Sequence, residues 1–377
     1  MRKPQLMTLK RRTMTMSEAI IRQNGDFLFL FEASMTNPNG DPDQENRPRM
    51  DYETSTALVS DARRKRDCRD FLKRKGYRIF VDTWAEHKVP MDRMFLEIVN
   101  EWLTDEERVA ALFDEVPKLK EKWYAAFGDS SGDFRRTYTK ARADSKMKKK
   151  AEFIDFNNEF LTAIIQRALV DIRLFGSAMA VEGVSRTFTG PIQITWGYSL
   201  HPVELVKSNT ITSIMNEENS TFGKKHKLHY ALIAHYGTMN KYSARLTAMT
   251  EKDRDLFRQA LVQGMMSNQT DSKQGQTPLL YLEILYAPDF DGYLGDLRRF
   301  LRAEYNEDKP IRGLGDLVVD FSAVSEVVRT MKDKGYIERV VGWTHPVADL
   351  SSIRDFPQLE EELDLWAPVQ SAAGGGR

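Results

Sequence analysis

Two aspartates in a short polar loop have the residue type and spacing that could support metal-dependent chemistry. Asp41 and Asp43 are separated by one proline in the segment Asn37-Pro38-Asn39-Gly40-Asp41-Pro42-Asp43. A pair of loop carboxylates can hold Mg²⁺ and help to cleave a phosphodiester. The same residue types also build turns, because Gly40 can adopt positive φ and proline cannot donate to a strand ladder. We predict a non-catalytic loop, and a metal-dependent ribonuclease that uses Asp41 is the alternative.

Basic residues that follow this loop could bind a phosphate backbone. Arg47 and Arg49 come directly after it. A helix-forming segment then carries a cluster of cations, namely Arg63, Arg64, Lys65, Arg66, Arg69, Lys73 and Arg74, which we place on its outer face. Loop amides and guanidinium groups brought together form an anion-binding surface, and the largest common anion is a nucleic acid. A charged helix face that contacts only water is the alternative interpretation.

The elements that position these residues can be predicted from the flanking sequence. Phe27-Leu28-Phe29-Leu30-Phe31 is a continuous apolar run, which is typical of a strand buried on both faces. Asp51 or Thr54 can cap the cation-bearing helix, and Gly76 is a suitable residue to end it. Residues 77–81 have the pattern of a second strand. The cations would therefore lie on a helix between two strands.

The remainder of the chain predicts a mixed α+β fold. Residues 84–150 have helical periodicity and a mobile, basic end at 135–150, and residues 160–172 form an amphipathic helix. Further strands are expected at 189–199, 229–236, 279–286, 318–321 and 337–341, with a capped helix from Thr250 to Gly264 and a helix at 325–334. The polar segment 200–227 predicts a protruding β-arm. Without the insertions, this order approximates a ferredoxin-like, RRM-like βαββαβ sheet, which is a common platform for single-stranded RNA.

The composition excludes several classes of protein. The chain has 55 basic and 55 acidic residues, so any nucleic-acid surface must come from segregated charge. Cys68 is the only cysteine, which excludes an intrachain disulfide and a cysteine-based zinc site. No apolar run approaches the length of a membrane span, and the basic N-terminal residues lack the apolar core of a signal peptide. We therefore expect a cytoplasmic protein without membrane contact.

Other candidate motifs have simpler structural explanations. Gly313 and Gly315 lack the third glycine of a dinucleotide-binding loop, and the sequence has no P-loop lysine motif. His226 and His229 are close in sequence, but no carboxylate at ligand spacing accompanies them. Trp196 and Tyr198 share one face of a predicted strand, where they could stack on RNA bases, although we favour core packing for both.

Three sequence blocks together resemble a known family. The first block is the loop 37–43 followed by Asn46-Arg47-Pro48-Arg49-Met50-Asp51, the second is Asp171-Ile172-Arg173-Leu174-Phe175-Gly176, and the third is Thr189-Gly190-Pro191-Ile192-Gln193. In order and spacing these blocks resemble the backbone subunit of type I CRISPR Cascade complexes. The sequence Gly197-Tyr198-Ser199 after the third block is most similar to subtype I-B, with I-C next.

This resemblance implies a non-catalytic subunit that binds CRISPR RNA and needs no cofactor or metal. The fold of this family resembles a right hand, with a ferredoxin-like palm, a helical finger insertion and a β-hairpin thumb. Copies stack head to tail along the guide RNA beside other Cascade subunits, and the guide then pairs with target DNA. Related type III backbone subunits cleave RNA with a loop aspartate, which keeps Asp41 open as the catalytic alternative. A stand-alone single-stranded RNA-binding protein is the second alternative.

The sequence pattern and the resemblance together give expected boundaries and site residues, although the helical insertion and the C-terminal third rest on the sequence pattern alone. We expect a palm at 17–83 and 153–345, a finger at 84–152, a thumb at about 200–227, and a C-terminal extension with a flexible tail at 346–377. No residue is expected to be catalytic. The residues expected to contact RNA are Asn37, Asn39, Gly40, Arg47, Arg49, Arg63, Arg66, Arg173, Phe175, Gly176 and Gln193.

The predicted thumb is apolar enough to pack against another molecule. Its apolar side chains are Val203, Leu205, Val206, Ile211 and Ile214. We expect the thumb to fold over the guide and contact the neighbouring copy, and a mobile surface loop is the alternative.

Overall fold

The computed structural model of the chain describes residues 19–82, 91–128, 133–181, 184–207, 210–214 and 220–372. Expectations for the basic N-terminal residues and for residues 373–377 of the tail lie outside this part of the chain. The strands are β1 (Gly25–Thr36), β2 (Gly40–Asp41), β3 (Arg47–Pro48), β4 (Met50–Asp51), β5 (Thr56–Val59), β6 (Gly176–Val181), β7 (Val184–Thr189), β8 (Ile192–Ile194), β9 (Gly197–Ser199), β10 (Thr210–Ile214), β11 (Ser220–Lys224), β12 (Leu228–Met239), β13 (Gln276–Tyr286), β14 (Arg302–Tyr305), β15 (Leu317–Asp320), β16 (Ile337–Thr344), β17 (Ile353–Arg354) and β18 (Glu361–Glu362).

The helices in the same part of the chain are α1 (Asp61–Arg74), α2 (Met91–Thr104), α3 (Glu106–Glu115), α4 (Pro117–Phe127), α5 (Phe134–Ala143), α6 (Ala151–Ala168), α7 (Val170–Phe175), α8 (Lys241–Thr247), α9 (Glu251–Ser267) and α10 (Ser322–Asp333). Seven of them, α1 to α7, follow in succession between β5 and β6. None of them combines the length and the apolar content that a membrane span requires. The mixed α+β class predicted from the sequence is confirmed.

The main sheet is built around β1. This strand pairs antiparallel with β12 on one side and with β13 on the other. The sheet continues from β13 to β16 and β18, and from β12 to β9, β5 and β4, while β8 also pairs with β12. The elements expected at 229–236, 250–264, 279–286, 318–321, 325–334 and 337–341 are present as β12, α9, β13, β15, α10 and β16. As expected, Thr250 caps α9 in a capping box with Asp253.

Both faces of β1 are buried, as its continuous apolar run predicted. Phe27, Phe29 and Phe31 pack in one core with residues of α1 and α9. Leu28 and Leu30 pack in a second core with residues of β15 and α10. A strand held between two apolar layers has a fixed register, because a slip of one residue would exchange its two faces. β1 therefore fixes the start of the polar loop that follows Thr36.

α1 begins later than expected and ends where expected. Its N-cap is Ser60, whose hydroxyl accepts a hydrogen bond from the N–H of Arg63 at 3.3 Å. The caps predicted at Asp51 and Thr54 are wrong, because the intervening residues form β4 and β5. The chain leaves the helix at Gly76, which adopts a φ of +82° that suits glycine.

Residues 77–81 do not form the expected strand. The N–H groups of Phe80 and Val81 instead donate to the carboxylate of Asp171, at 2.8 and 3.1 Å. Asp171 lies 91 positions further along the chain than Phe80 and is fully buried. A distant side chain thus satisfies the backbone groups that a neighbouring strand would otherwise have paired.

The helices α2 to α6 enclose a separate apolar core. Phe95, Trp102, Phe156 and Phe160 are among its buried residues. The basic stretch at 135–150 was expected to be mobile with few apolar anchors, but α5 is anchored there by Tyr138, which is buried and donates to Asn157 at 2.7 Å. The single helix expected at 160–172 is divided between α6 and α7.

The segment predicted as a β-arm contains the hairpin of β10 and β11. Its register joins Thr210 to Lys224 and Ile214 to Ser220. A β-bridge between Leu205 and Leu228 connects the base of this arm to the start of β12. The strand expected at 189–199 is interrupted, because β8 and β9 both pair with β12 and the two residues between them lie outside either strand.

Candidate nucleic-acid interface

The polar loop after β1 is held at its start by hydrogen bonds. The Thr36 hydroxyl donates to the Ser272 carbonyl at 2.6 Å, and the N–H of Asn37 donates to the same carbonyl at 2.9 Å. The amide nitrogen of Asn37 donates across the loop to the carbonyl of Asn46 at 2.8 Å. Asn37 is only 2% exposed, so it shapes the loop from the inside.

Asn39 and Gly40 close the loop against α1. The Oδ1 atom of Asn39 accepts from the N–H and the hydroxyl of Ser60, at 2.8 and 2.9 Å. A Cβ atom at Gly40 would lie 1.8 Å from Oδ1 of Asn46, so a side chain there would displace the Asn46 amide. β2 and β3 consequently pair as a small hairpin whose tip, residues 42–46, is exposed.

Asp41 uses its carboxylate within the loop. Oδ1 accepts from the N–H of Asp43 at 3.2 Å and lies 3.3 Å from Nη2 of Arg49. Across the described residues, no group of three or more His, Cys, Asp or Glu is arranged to hold a metal ion. These contacts are those of a turn stabilised by an ion pair.

Arg47 and Arg49 stand on the same loop in different surroundings. The side chain of Arg47 is 47% exposed and lies 3.9 Å from the carboxylate of Glu45. Arg49 is half-buried, and its guanidinium lies 5.5 Å from the centre of the Trp196 ring. Arg47 therefore presents its charge to solvent, whereas Arg49 is fixed between a carboxylate and an aromatic ring.

The predicted contact residues of α1 are ion-paired along the helix. Arg63 pairs with Asp67 and Arg66 pairs with Asp70, each four residues further on. Arg66 also donates to the carbonyl of Val81 at 2.8 Å. Their side chains are still 21% and 32% exposed, so both can exchange an intramolecular partner for a phosphate.

Arg64 is not on the outer face of α1. Its side chain is 1% exposed, lies 4.9 Å from the centre of the Phe31 ring, and is 3.0 Å from the carboxylate of Asp67. Burial lowers the pKa of Arg64, and the Asp67 carboxylate opposes this effect. The expected position was wrong because the helix turns this residue toward the sheet, where its charge is compensated.

The second sequence block makes internal contacts. All three guanidinium nitrogens of Arg173 donate: Nε and Nη2 to Asp253 at 2.9 and 2.8 Å, and Nη1 to the carbonyl of Gln166 at 3.0 Å. Phe175 is 7% exposed and packs against Phe257, with ring centres 6.0 Å apart. Arg173 and Phe175 therefore join α7 to α9.

Gly176 and Gln193 lie where the second and third blocks meet. Gly176 has a φ of +69°, and a Cβ atom on it would lie 2.1 Å from the carbonyl oxygen of Phe188. Gln193 is exposed on β8, and its amide donates to the carbonyl of Gly190 at 2.8 Å. Gly176 thus permits its backbone to pack directly against the backbone of residues 188–190, a close approach that we call the backbone crossing. Gln193 presents a polar side chain at the surface.

Comparison with known proteins places this arrangement in a family. The family model for CRISPR-associated protein Cas7 matches residues 23–322, which is most of the 377-residue chain. The chain belongs to the Cas7 family. The match begins just before β1 and ends at the first residue of α10, so it includes the loop, α1, the arm and every strand of the main sheet except β16 and β18.

Individual relatives of this Cas7-family chain are distant in sequence. The CRISPR-associated protein Cas7 of Haloferax volcanii is 24% identical over 341 residues, which cover 84% of this chain and 86% of the relative. A chain from a solved CRISPR RNA-guided surveillance complex in a pre-nicking state is 15% identical, with a TM-score of 0.49 and coverage of 90% and 96% of the two chains. A second CRISPR RNA-guided surveillance complex gives a TM-score of 0.45 at the same identity and coverage.

Lys273 supports the loop of this Cas7-family chain and was not predicted. Its ammonium donates to the carbonyls of Asn37 and Pro38, at 2.8 and 3.3 Å. Burial, together with the charges of Arg63 and Arg64, lowers the pKa of Lys273 to about 8. A lysine in a polar segment carries no sequence signal for this role, which depends on the close approach of two distant turns.

The base of the arm contacts the same region. Lys224 lies 3.3 Å from the carboxylate of Glu45 in the loop, and Lys225 pairs with Asp271 at 2.6 Å. These two lysines bring the arm, the loop and the turn that carries Ser272 together. Sequence spacing could not show this contact, because Glu45 and Lys224 are 179 positions apart.

Proposed function

We propose that the chain is a non-catalytic backbone subunit that binds CRISPR RNA in a type I Cascade complex. Copies of the chain assemble head to tail along the guide beside other Cascade subunits, and the guide pairs with the DNA target. The subtype is I-B, with I-C as the next candidate, and the protein acts in the cytoplasm. Membership of the Cas7 family supports this proposal.

The observation that carries the proposal is the convergence of the loop, α1 and the arm. Asn39 ties the loop to the start of α1, and Lys224 ties the base of the arm to Glu45. An exposed arginine, Arg47, lies on the same loop. A single-stranded RNA that followed this surface would meet backbone amides and cations before it reached the arm.

The order of elements supports a ferredoxin-like, RRM-like palm. Without the intervening elements, the chain order is β1, α1, β9, β12, α9 and β13, which is strand, helix, strand, strand, helix, strand. In the sheet these strands lie in the order β13-β1-β12-β9. We assign the palm to 17–83 and 153–345, the finger to 84–152, and the C-terminal extension to 346–377. The thumb corresponds to the arm at about 200–227.

The residues proposed for the RNA-binding site divide into two groups. Arg47, Arg49, Arg63, Arg66 and Gln193 present side chains that can reach phosphates or sugars. A supporting group builds the surface from within, through hydrogen bonds, close packing or positive φ, and it consists of Asn37, Asn39, Gly40, Arg173, Phe175 and Gly176. Backbone contacts carry no sequence information, which suits guides of variable sequence.

Replacing Arg47 with alanine tests the backbone-contact proposal. We expect weaker binding of every single-stranded RNA by a similar factor, and a fall of about 0.7 in the slope of log K against log salt, because one phosphate contact is lost. Arg339→Ala is a matched control, since Arg339 is 45% exposed and paired with Glu361 much as Arg47 is paired with Glu45. A change in preference among RNA sequences, or an equal loss in the control, would contradict the proposal.

Incubation of the purified protein with RNA and Mg²⁺ or Mn²⁺ tests the ribonuclease alternative. We expect no cleavage, because the Asp41 carboxylate is engaged by Arg49 and the Asp43 N–H. Asp41→Ala should leave RNA affinity within about fivefold of the wild type, since a partly exposed ion pair contributes at most about 1 kcal/mol. Metal-dependent cleavage that disappears in Asp41→Ala but persists in Asp43→Ala would instead assign the chain to the nucleases.

A further inference from the structure

The ring of Trp196 is exposed in the interruption between β8 and β9. Trp196 is 46% exposed, although the alternation of the predicted strand favoured core packing. The backbone on each side of the ring is fixed. The Thr195 N–H donates to the Tyr236 carbonyl at 2.8 Å, and the Trp196 carbonyl accepts from Nη1 of Arg298 at 2.6 Å. A large aromatic side chain is thus displayed from a rigid edge of the sheet.

Two arginines lie against aromatic rings at this edge. The Arg49 guanidinium is 5.5 Å from the centre of the Trp196 ring, and the Arg298 guanidinium is 4.1 Å from the centre of the Tyr198 ring. Each arginine is also held by a carboxylate, Asp41 for Arg49 and Asp296 for Arg298. Aromatic rings and guanidinium planes are the two surfaces on which proteins stack the bases of single-stranded RNA.

The charges around Trp196 favour a nucleotide over an apolar protein surface as its partner. A protein that covered the ring with apolar side chains would also desolvate Arg49 and the neighbouring Arg47, which is unfavourable without new ion pairs. A nucleotide offers a flat base for the ring and a phosphate for a nearby guanidinium. Arg49 contacts the Trp196 ring and is held on the same loop as Arg47. One nucleotide could therefore stack its base on the ring and place its phosphate beside a guanidinium.

We propose that Trp196 is a stacking platform for a base of single-stranded RNA. Arg49 supports the ring, and Arg47 is available for an adjoining phosphate. This inference rests on the proposed RNA-binding function and adds the part of the RNA that is recognised, a base in addition to the backbone. Stacking tolerates any sequence because every base has a π-face, so the contact suits guides of different sequence.

Binding of oligoadenylate, oligouridylate and an abasic ribose-phosphate oligomer to the full chain tests this assignment. Trp196→Ala should weaken binding of the two base-bearing RNAs about tenfold, leave binding of the abasic oligomer unchanged, and leave the salt slope unchanged. Trp196→Phe should retain most of the affinity. Trp196→Leu keeps an apolar side chain but removes the π-system, so it should bind as weakly as the alanine variant and serves where that variant is unstable.

Tyr124→Ala is the matched control, because Tyr124 is also 46% exposed but lies on α4 of the helical insertion. It should bind all three oligomers normally. Wild-type affinity in Trp196→Ala, or an equal loss for the abasic oligomer, would overturn the stacking assignment while RNA binding by the wild type still supported the proposed function. Normal RNA affinity with a loss of multi-copy assembly would assign Trp196 to a protein interface instead. A wild-type chain that binds none of the oligomers would overturn both proposals.

Discussion

Gly176→Ala is expected to lower the free energy of unfolding by about 2 to 3 kcal/mol more than Gly128→Ala, since overpacking alone costs about 1–3 kcal/mol. Both glycines have a φ of +69° with ψ near 180°, a region that is essentially limited to glycine. A Cβ atom on Gly176 would lie 2.1 Å from the Phe188 carbonyl oxygen and 2.3 Å from the Gly190 nitrogen, whereas one on Gly128 would meet no atom of the described residues within 4 Å.

Chemical denaturation of the two variants measures this difference. The strain of positive φ is common to both, so the difference between them isolates the backbone crossing at Gly176. Movement there would disturb the junction of α7 with β6, where Arg173 joins α7 to α9. Equal losses in the two variants would show that the crossing relaxes freely and that Gly176 is needed only for its backbone angle.

Deletion of residues 208–223, with a short Gly-Ser bridge in their place, should abolish ordered multi-copy assembly on RNA and leave the monomer folded. The fold should survive because the base of the arm is retained. Val206 donates to the Lys227 carbonyl at 2.9 Å, the His229 N–H donates to Glu204 at 2.9 Å, and Glu204 pairs with Arg312 at 2.5 Å. Glu204 belongs to this base, so the deletion must begin after it.

The size of the complexes that the deletion variant forms with a full-length guide RNA tests the proposed role of the arm as a thumb. We expect weak, salt-sensitive binding without defined larger species, because the contacts expected of the thumb with the guide and with the neighbouring copy are lost. A variant with a Gly-Ser segment of equal length in place of 208–223 should behave in the same way, which separates the loss of the hairpin from the loss of chain length. Complexes of normal size from either variant would contradict the thumb assignment.

The sequence predicted best the elements whose cause is local. The apolar run of β1 and the cap of α9 at Thr250 depend on residue types within a few positions, and both are present. The strand at 77–81 failed because its backbone groups are satisfied by Asp171, which no local pattern could indicate. Local propensity therefore identified elements but could not identify their distant partners.

Charge in the sequence did not show where each cation would lie. Arg64 and Arg173 look like surface arginines in the sequence, yet one is buried over Phe31 and the other is bonded to Asp253. Lys273 carries no motif but supports the loop through two carbonyls. The candidate interface therefore contains fewer available cations than the number of basic residues implied. Which cations are available depends on which arginines form ion pairs with carboxylates in the folded chain.

The prediction for Trp196 failed in the opposite direction, because its side chain was expected in the core and is exposed. Alternation across 189–199 predicted one strand with its aromatic residues in the core, but the interruption at Thr195 and Trp196 leaves the indole 46% exposed. The period of a strand determines the direction of a side chain only while the ladder continues. Where the ladder stops, the direction follows from tertiary contacts such as those of Tyr236 and Arg298.

Native mass spectrometry of the chain co-expressed with its partner subunits and CRISPR RNAs of several spacer lengths tests the central claim most directly. A backbone subunit that assembles along its guide predicts several copies per RNA, with one more copy for each fixed increment of spacer length. A single copy per RNA at every length would indicate a stand-alone RNA-binding protein, and complexes without RNA would contradict the RNA-binding function itself.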